Sequence, residues 1–472
     1  MVDRLTSGQI DLVELFRSHG ESIALVGAEH PSGEGLSYRR LADAAGGWVE
    51  RFRAYGLTPG SRVTVQAENS AVLAAFLYGV WSAGLLPLIL SPLLPVERVR
   101  ELGTELRSGP PFTAADLDLP SGRGASPVDP GSPATALLTS GSTGNPRAVV
   151  HTLANHLYSA IGSAANLPLE RDDRWLVALP MSHVAGLSIL FRCLLAGATA
   201  LIARSGSFRE DDQGADDALS LLPRATRLSV VPAQLQRLIE LPEDRRAALR
   251  SVLVGGQATA PALLERARAA GIPVLTTYGS TEMASQVATA APGIDPPPAA
   301  SGRVLPHRRL RIRDGQVEVG GETLFAGYLG PDGIEPPPLA SGGWFATGDG
   351  GRLQDGVLTI TGRADGMFIS GGENIHPQEI EAVLGAHPAV ALAVVVPAPD
   401  PAFGSRPVAF IQSVGDLPPE DELQALLDER LPRYKHPVRY HPLPADAITP
   451  LGKPDRVRLT DLARISDAAS GA

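Results

Sequence analysis

Cysteine is nearly absent from this 472-residue chain, and Cys193 is the only one. No internal disulfide is available, and no cysteine-rich metal site can form. Its neighbours, Leu190-Phe191 before Arg192 and Leu194-Leu195 after, are mostly apolar, so the thiol reads as buried and inert. Basic charge is scarce as well. Lys and Arg number 41 against 51 Asp and Glu, a formal charge of −10 with no basic block. That is a poor fit to nucleic acid, where neutralisation of phosphates dominates affinity. An unbroken membrane-length apolar run is also missing. The uncharged stretch Ala71–Leu94 is interrupted by Gly79, Gly84, Pro87 and Pro92. It reads as a buried helix to about Ala83, a turn at Gly84 and a short strand Leu86–Leu90, not as a span. Met1-Val2-Asp3-Arg4 brings an acidic residue early with no apolar core after it, unlike a signal peptide. These absences predict a soluble protein of the cytoplasm.

What is present is a normal globular balance, 44% hydrophobic and 19% charged. The length suggests two to four structural units. Ser251–Val254 as strand, Pro261–Ala270 as helix and Pro273–Tyr278 as strand predict a βαβ crossover, hence a parallel sheet covered by helices. Gly255 and Gly279 follow those strands, at the carboxyl ends where ligands gather in such sheets. Arg309–Val319 alternates as strands do. The last ~110 residues, with a helix from Pro377, a strand near Val390–Val396, a helix Asp421–Leu431 and a Pro-rich tail, predict a small α+β domain.

The apolar run Ala134–Leu138 leads into Thr139-Ser140-Gly141-Ser142-Thr143-Gly144-Asn145-Pro146-Arg147. Small residues let backbone approach a ligand closely, successive N–H groups and hydroxyls face an anion, and Arg147 adds a cation. The loop of the P-loop NTPases, which ends Gly-Lys-Ser/Thr, is absent. The run instead resembles the signature loop of the adenylate-forming enzymes, which include acyl- and aryl-CoA ligases, luciferases and peptide-synthetase adenylation domains. Lys-Gly is usual after the proline; Arg147-Ala148 stands here. Further motifs follow in the family's order, so the resemblance covers nearly the whole chain.

The resemblance implies an α/β fold: a large N-terminal region of stacked α/β layers with a β-rich subdomain, and a small mobile α+β C-terminal domain. The expected division is 1–363 for ATP and acid binding and 364–472 for a lid. In Tyr278-Gly279-Ser280-Thr281-Glu282 the aromatic residue is expected to stack on adenine, flanked by Gly255 and Gly256, and Glu282 to bind Mg²⁺ near Thr143. Asp349 of Thr347-Gly348-Asp349 and Arg363 are expected at the ribose. Asp365 is the implied hinge, Gly371-Gly372-Glu373-Asn374 the implied lining of the thiol's approach, and Lys453 of Pro450-Leu451-Gly452-Lys453 the implied catalytic lysine. A mobile ammonium suits charge building on the α-phosphate. The implied co-reactants are ATP, Mg²⁺ and coenzyme A with a small carboxylic acid. A homodimer is compatible with the sequence.

His183 matches the family's gate near the carboxylate. Relatives that activate amino acids carry an Asp near that position, and its absence disfavours an amino-acid substrate. Asn155-His156, Ser159–Ser163, Leu187–Arg192 and Ser285-Gln286 resemble the o-succinylbenzoate–CoA ligases of menaquinone biosynthesis more than other branches. Arg192 lies in an apolar run where an unpaired cation is costly. It either pairs with a protein carboxylate or helps receive a second carboxylate of the acid. Two other functions stay open from sequence: a benzoate- or fatty-acid–CoA ligase, and a non-catalytic nucleotide-binding regulator.

Overall fold

The uncharged stretch at 71–94 folds as a helix, Ala71–Ser82, and a strand, Leu86–Leu90. Ser70 caps the helix, its Oγ accepting from Leu73 N at 3.0 Å. Gly84 turns the chain with φ +69°. Nearly every helix residue is buried, which is why the stretch has no polar face. The computed structural model describes residues 8–27, 35–139, 147–204, 208, 215–256, 259, 261–294, 300–363, 366–413, 416–447 and 454–470. Among them no helix is long and apolar enough to cross a membrane.

The chain divides into two compact units, the second built on Arg363–Ala472. The first holds a thirteen-stranded sheet that changes character part-way. Strands Ile23–Gly27, Thr199–Ile202, Arg174–Val177, Arg227–Val230, Ser251–Val254 and Val274–Ser280 run parallel in that spatial order. From Val274–Ser280 onward the pairing is antiparallel, through Ser285–Thr289, Ala300–Val304 and Val357–Arg363. Phe345–Gln354, Gln316–Gly320 and Arg309–Arg313 finish the sheet. The predicted crossover forms, its helix being Pro261–Ala269. A seven-stranded sheet contains parallel strands Arg62–Gln66, Leu86–Leu90 and Pro133–Thr139.

Aromatic residues fill the main core. Trp48, Trp81, Trp175, Phe16, Phe52, Phe76 and Phe191 are all under 2% exposed, and each buried side chain of this kind contributes roughly 1.5–3 kcal/mol. Cys193 lies among them, and burial pushes its thiol up to about 12. Ellman's reagent at pH 8 is therefore expected to leave the folded protein unlabelled and to titrate the single thiol once guanidinium unfolds the chain. Equal labelling rates in the two states would place the thiol outside the core.

In the second unit Val390–Asp400 pairs antiparallel with Gly404–Ser413, which pairs parallel with Tyr440–Pro442. Val395 packs with Ile380, Leu384, Leu423 and Leu427 on one face, while Val394 and Val396 pack with Leu459 and Ala463 on the other. That is the period-two alternation of a strand covered on both sides. The predicted helices form as Pro377–Leu384 and Glu420–Asp428. Beyond the Pro-rich part of the tail, Arg456–Ser470 is helical. Leu459 and Ala463, four apart, give that helix an apolar side to bury.

Candidate active site

The strand where the large sheet turns antiparallel carries Tyr278. Its hydroxyl donates to Asp349 Oδ2 at 2.6 Å, so two residues singled out from distant motifs meet. Burial, then the Asp349 charge, pushes the phenol well above its usual range and keeps it a neutral donor. Asp349 is itself held, its N–H donating to Thr347 Oγ1 at 3.1 Å. Gly255 lets its strand end close against the next one: a Cβ there would lie 2.7 Å from Thr277 O. Gly256 has φ +80°. A Cβ on Gly279 would fall far inside contact distance of the Ser285 carbonyl, so only glycine fits at that bulge.

Beyond Gly279 a short turn, Thr281–Met283, carries Glu282 and ends in two non-glycine residues with positive φ, Ala284 at +50° and Ser285 at +101°. Such backbone persists only where its surroundings hold it. Thr281 O accepts from His151 Nε2 at 2.6 Å, Glu282 O from Phe325 N at 2.8 Å and Ala284 O from Ser159 Oγ at 2.6 Å. A carbonyl only accepts, so the proton sits on His151 Nε2 and Nδ1 accepts from Thr135 Oγ1 at 3.1 Å. That hydroxyl then accepts from His156 Nε2 at 2.8 Å. Burial pushes His151 down to about 4 and His156 well below its usual value, which keeps both rings neutral.

This bracing was not read from the sequence as such. Its signal was available: Asn155, Ser159 and Ser163 recur every four residues, one face of the helix Leu153–Asn166. Asn155 Nδ2 donates to Glu322 O at 2.7 Å, and Ser163 Oγ donates to Gln286 Oε1 at 2.7 Å. The Gln286 amide nitrogen donates to Thr289 Oγ1 at 3.0 Å, so this side chain is engaged within the protein at both ends.

His183 immediately precedes the helix Val184–Ala196, and its N–H donates to Pro180 O at 3.0 Å. Two turns further along that helix Arg192 is 6% exposed. Its Nη2 donates to Ser285 Oγ at 3.2 Å, and the guanidinium lies over Trp175 at 5.1 Å. Nε is buried without a hydrogen-bond partner, and burial lowers the group to about 10. Among the described residues no carboxylate pairs with Arg192, so the protein-carboxylate alternative finds no candidate there.

In the second unit Phe368–Ser370 and Glu373–Ile375 form a hairpin turned by Gly371 and Gly372, with φ +58° and +95°. Gly371 N donates to Phe403 O at 2.9 Å, Glu373 takes a hydrogen bond from Tyr434, and Asn374 is exposed. Thr139 and Arg147 end and begin strands that flank the small-residue loop, and Thr139 Oγ1 donates to Arg147 O at 3.3 Å. Ser140, Gly141, Ser142, Thr143, Gly144, Asp365 and Lys453 lie outside the described residues, as does the side chain of Arg363, which ends the strand Val357–Arg363.

The family model described as AMP-binding enzyme matches residues 14–113 and 103–329, and that described as AMP-binding enzyme C-terminal domain matches 379–453. The 2-succinylbenzoate–CoA ligase of Escherichia coli K12 is 34% identical over 439 residues, covering 90% of this chain and 92% of that protein. The enzyme of the same name from Bacillus licheniformis is 33% identical over 459 residues, covering 89% and 93%. A solved o-succinylbenzoate CoA synthetase from Bacillus subtilis, a double mutant bound with a product analogue, superposes with a TM-score of 0.82 at 28% identity, covering 95% of this chain and 98% of that one. An amide bond synthetase from Marinactinospora thermotolerans shares the fold, with a TM-score of 0.82 at 24% identity, over 96% of this chain and 99% of its own. Family models over most of the chain and curated relatives covered almost end to end place it: this chain belongs to the AMP-binding enzyme family.

Proposed function

We propose that this protein is an ATP-dependent acid–CoA ligase that converts o-succinylbenzoate to o-succinylbenzoyl-CoA through an acyl-adenylate. One observation carries the choice of acid. Arg192 is a buried guanidinium that meets Ser285 and Trp175 and, among the described residues, no carboxylate. A buried charge without a counter-ion is costly, and a second carboxylate on the acid supplies one. Such an acid is activated at one end and recognised at the other. The names of the curated relatives support the same reading.

In the first half-reaction a carboxylate oxygen attacks the α-phosphorus of ATP and diphosphate departs with the bonding electrons. The product is a mixed anhydride whose leaving group, AMP, is far better than oxide. In the second, the CoA thiolate attacks the acyl carbon and the bond to AMP breaks. The chain needs no nucleophile of its own, in keeping with a buried Cys193. Gly255, Gly256, Tyr278, Gly279, Thr281, Asp349 and Arg363 hold the adenosine, the Thr139–Gly144 loop with Arg147 the phosphates, and His183 the reacting carboxylate. Lys453 neutralises charge on the α-phosphate.

Glu282 and Thr143 would hold Mg²⁺. Both offer the hard oxygen donors this ion takes, and it would be held by them together with the nucleotide's phosphates. When bound, the ion screens the triphosphate from the incoming carboxylate. Residues 1–363 serve as the ATP- and acid-binding body and 364–472 as a lid that turns at Asp365 between the half-reactions. It brings first Lys453 and then Gly371–Asn374 to the reaction. The setting is the cytoplasm.

The test is a panel of acids with ATP and CoA, reading diphosphate release and the thioester by mass. o-Succinylbenzoate should give both. Turnover of benzoate or a fatty acid with o-succinylbenzoate inert would sink the choice of acid. ATP–diphosphate exchange that is negligible with every acid would favour the non-catalytic nucleotide-binding regulator.

A further inference from the structure

Among the described residues two arginines are buried, Arg192 and Arg308, at 6% and 7% exposure. Both contact one short segment. Arg192 Nη2 donates to the Ser285 hydroxyl, and Arg308 Nε donates to the Gln286 carbonyl at 2.8 Å. The buried lysine at 435 has Glu379 at 2.6 Å, but Arg308, like Arg192, has no carboxylate at ion-pair distance among the described residues. Glu322 is near enough to favour its charge slightly. Burial, then the charge of Arg192, lowers Arg308 to about 9, so the two cations feel each other.

Arg308 has no donor left for a ligand. Nη1 donates to Pro306 O at 2.7 Å and Tyr158 O at 3.4 Å, and Nη2 to Ser159 O at 3.0 Å and Ser159 Oγ at 3.1 Å. With Nε this uses the whole fork. Ser159 Oγ in turn donates to Ala284 O, so Arg308 grips both ends of the left-handed Ala284–Ser285 turn. Room for the guanidinium comes from Gly162, where a Cβ would collide with Nη1.

We propose that Arg308 is a positioning and specificity-determining residue for doubly charged acids: it fixes the turn that presents Ser285 to Arg192, and its charge, which no described carboxylate meets at ion-pair distance, raises the demand of that site for a second carboxylate without touching it. The proposal rests on the ligase reading above and deepens it. An isolated second cation acts over distance in a dry interior, where Coulomb interactions are weakly screened. A hydrogen-bonding scaffold alone would affect all acids alike.

The experiment compares kcat/KM for o-succinylbenzoate with that for 3-benzoylpropionate, the same acid without its ring carboxylate. In Arg308→Gln the ratio should fall about tenfold or more, mainly through the KM of the dicarboxylate. Arg308→Lys keeps the charge with fewer hydrogen bonds. It should retain the ratio within about threefold while kcat falls for both acids. Equal losses for both acids in Arg308→Gln overturn the proposal, and so does a collapsed ratio in Arg308→Lys. If the glutamine variant does not fold, Arg308→Met, which also removes the charge, is read by the same criterion, a tenfold fall in the ratio supporting the proposal and equal losses overturning it. Wild-type protein that does not use o-succinylbenzoate refutes the proposed function itself, and wild-type protein that uses both acids alike refutes recognition of the second carboxylate, each a separate outcome.

Discussion

Arg192→Met is expected to lower kcat/KM for o-succinylbenzoate by about a hundredfold or more while leaving the protein as stable as the native chain or more so. The two halves of this result have one cause. Among the described residues the guanidinium has one hydrogen bond, to Ser285, one aromatic face, Trp175, and a buried Nε with no partner. Cation–π attraction of about 1–2 kcal/mol offsets only part of the lost hydration. Methionine fills the same volume with no charge to desolvate. With the acid bound, the balance reverses, because the substrate carboxylate then loses a charged partner in a dry site. Thermal unfolding and steady-state kinetics on one preparation check both halves. A variant that unfolds well below the native protein would mean that Arg192 is structurally paired. Undiminished preference for the dicarboxylate would mean that the acid is recognised elsewhere.

Lys453→Ala should cut ATP–diphosphate exchange by about 10²–10³. The same variant should convert chemically prepared o-succinylbenzoyl-adenylate and CoA to thioester at close to the native rate. The split follows from where charge develops. Adenylyl transfer develops negative charge around the α-phosphorus under attack, whereas thiolysis attacks the acyl carbon and develops charge first on the acyl oxygen, before AMP leaves with the bonding electrons. A lid that turns between steps needs its ammonium in only the first. Loss of both half-reactions together would argue against separate lid positions, and unchanged exchange would remove Lys453 from the chemistry.

Local structure was largely legible where apolar pattern and punctuation agree. Leu86–Leu90 and Ser251–Val254 form as read, because a short β-rich run bounded by glycine leaves few alternatives. Sheet order was not legible: Ile23–Gly27 lies beside Thr199–Ile202 through contacts that no local periodicity encodes. The site divides the same way. Motif glycines and acids were singled out through resemblance to a family, and two of those residues, Tyr278 and Asp349, are joined by a hydrogen bond. Arg308 was not, since in Arg308-Arg309-Leu310-Arg311 nothing separates the buried arginine from Arg309, whose side chain reaches the Gly342 and Gly343 carbonyls near the surface. Burial is a tertiary property, and only the turn of chain after His307, at φ +66°, sends Arg308 inward.

The glycine at position 162 has a consequence for anyone wishing to toughen this protein. Exchanging a mid-helix glycine for alanine ordinarily improves helicity by roughly 1 kcal/mol. At this position the added methyl would occupy the space of the Arg308 fork and evict it from the carbonyls of Tyr158 and Ser159. A notch in one helix is thus the seat of a side chain from just before a distant strand, and routine rigidifying substitutions there would trade thermal endurance against discrimination between acids.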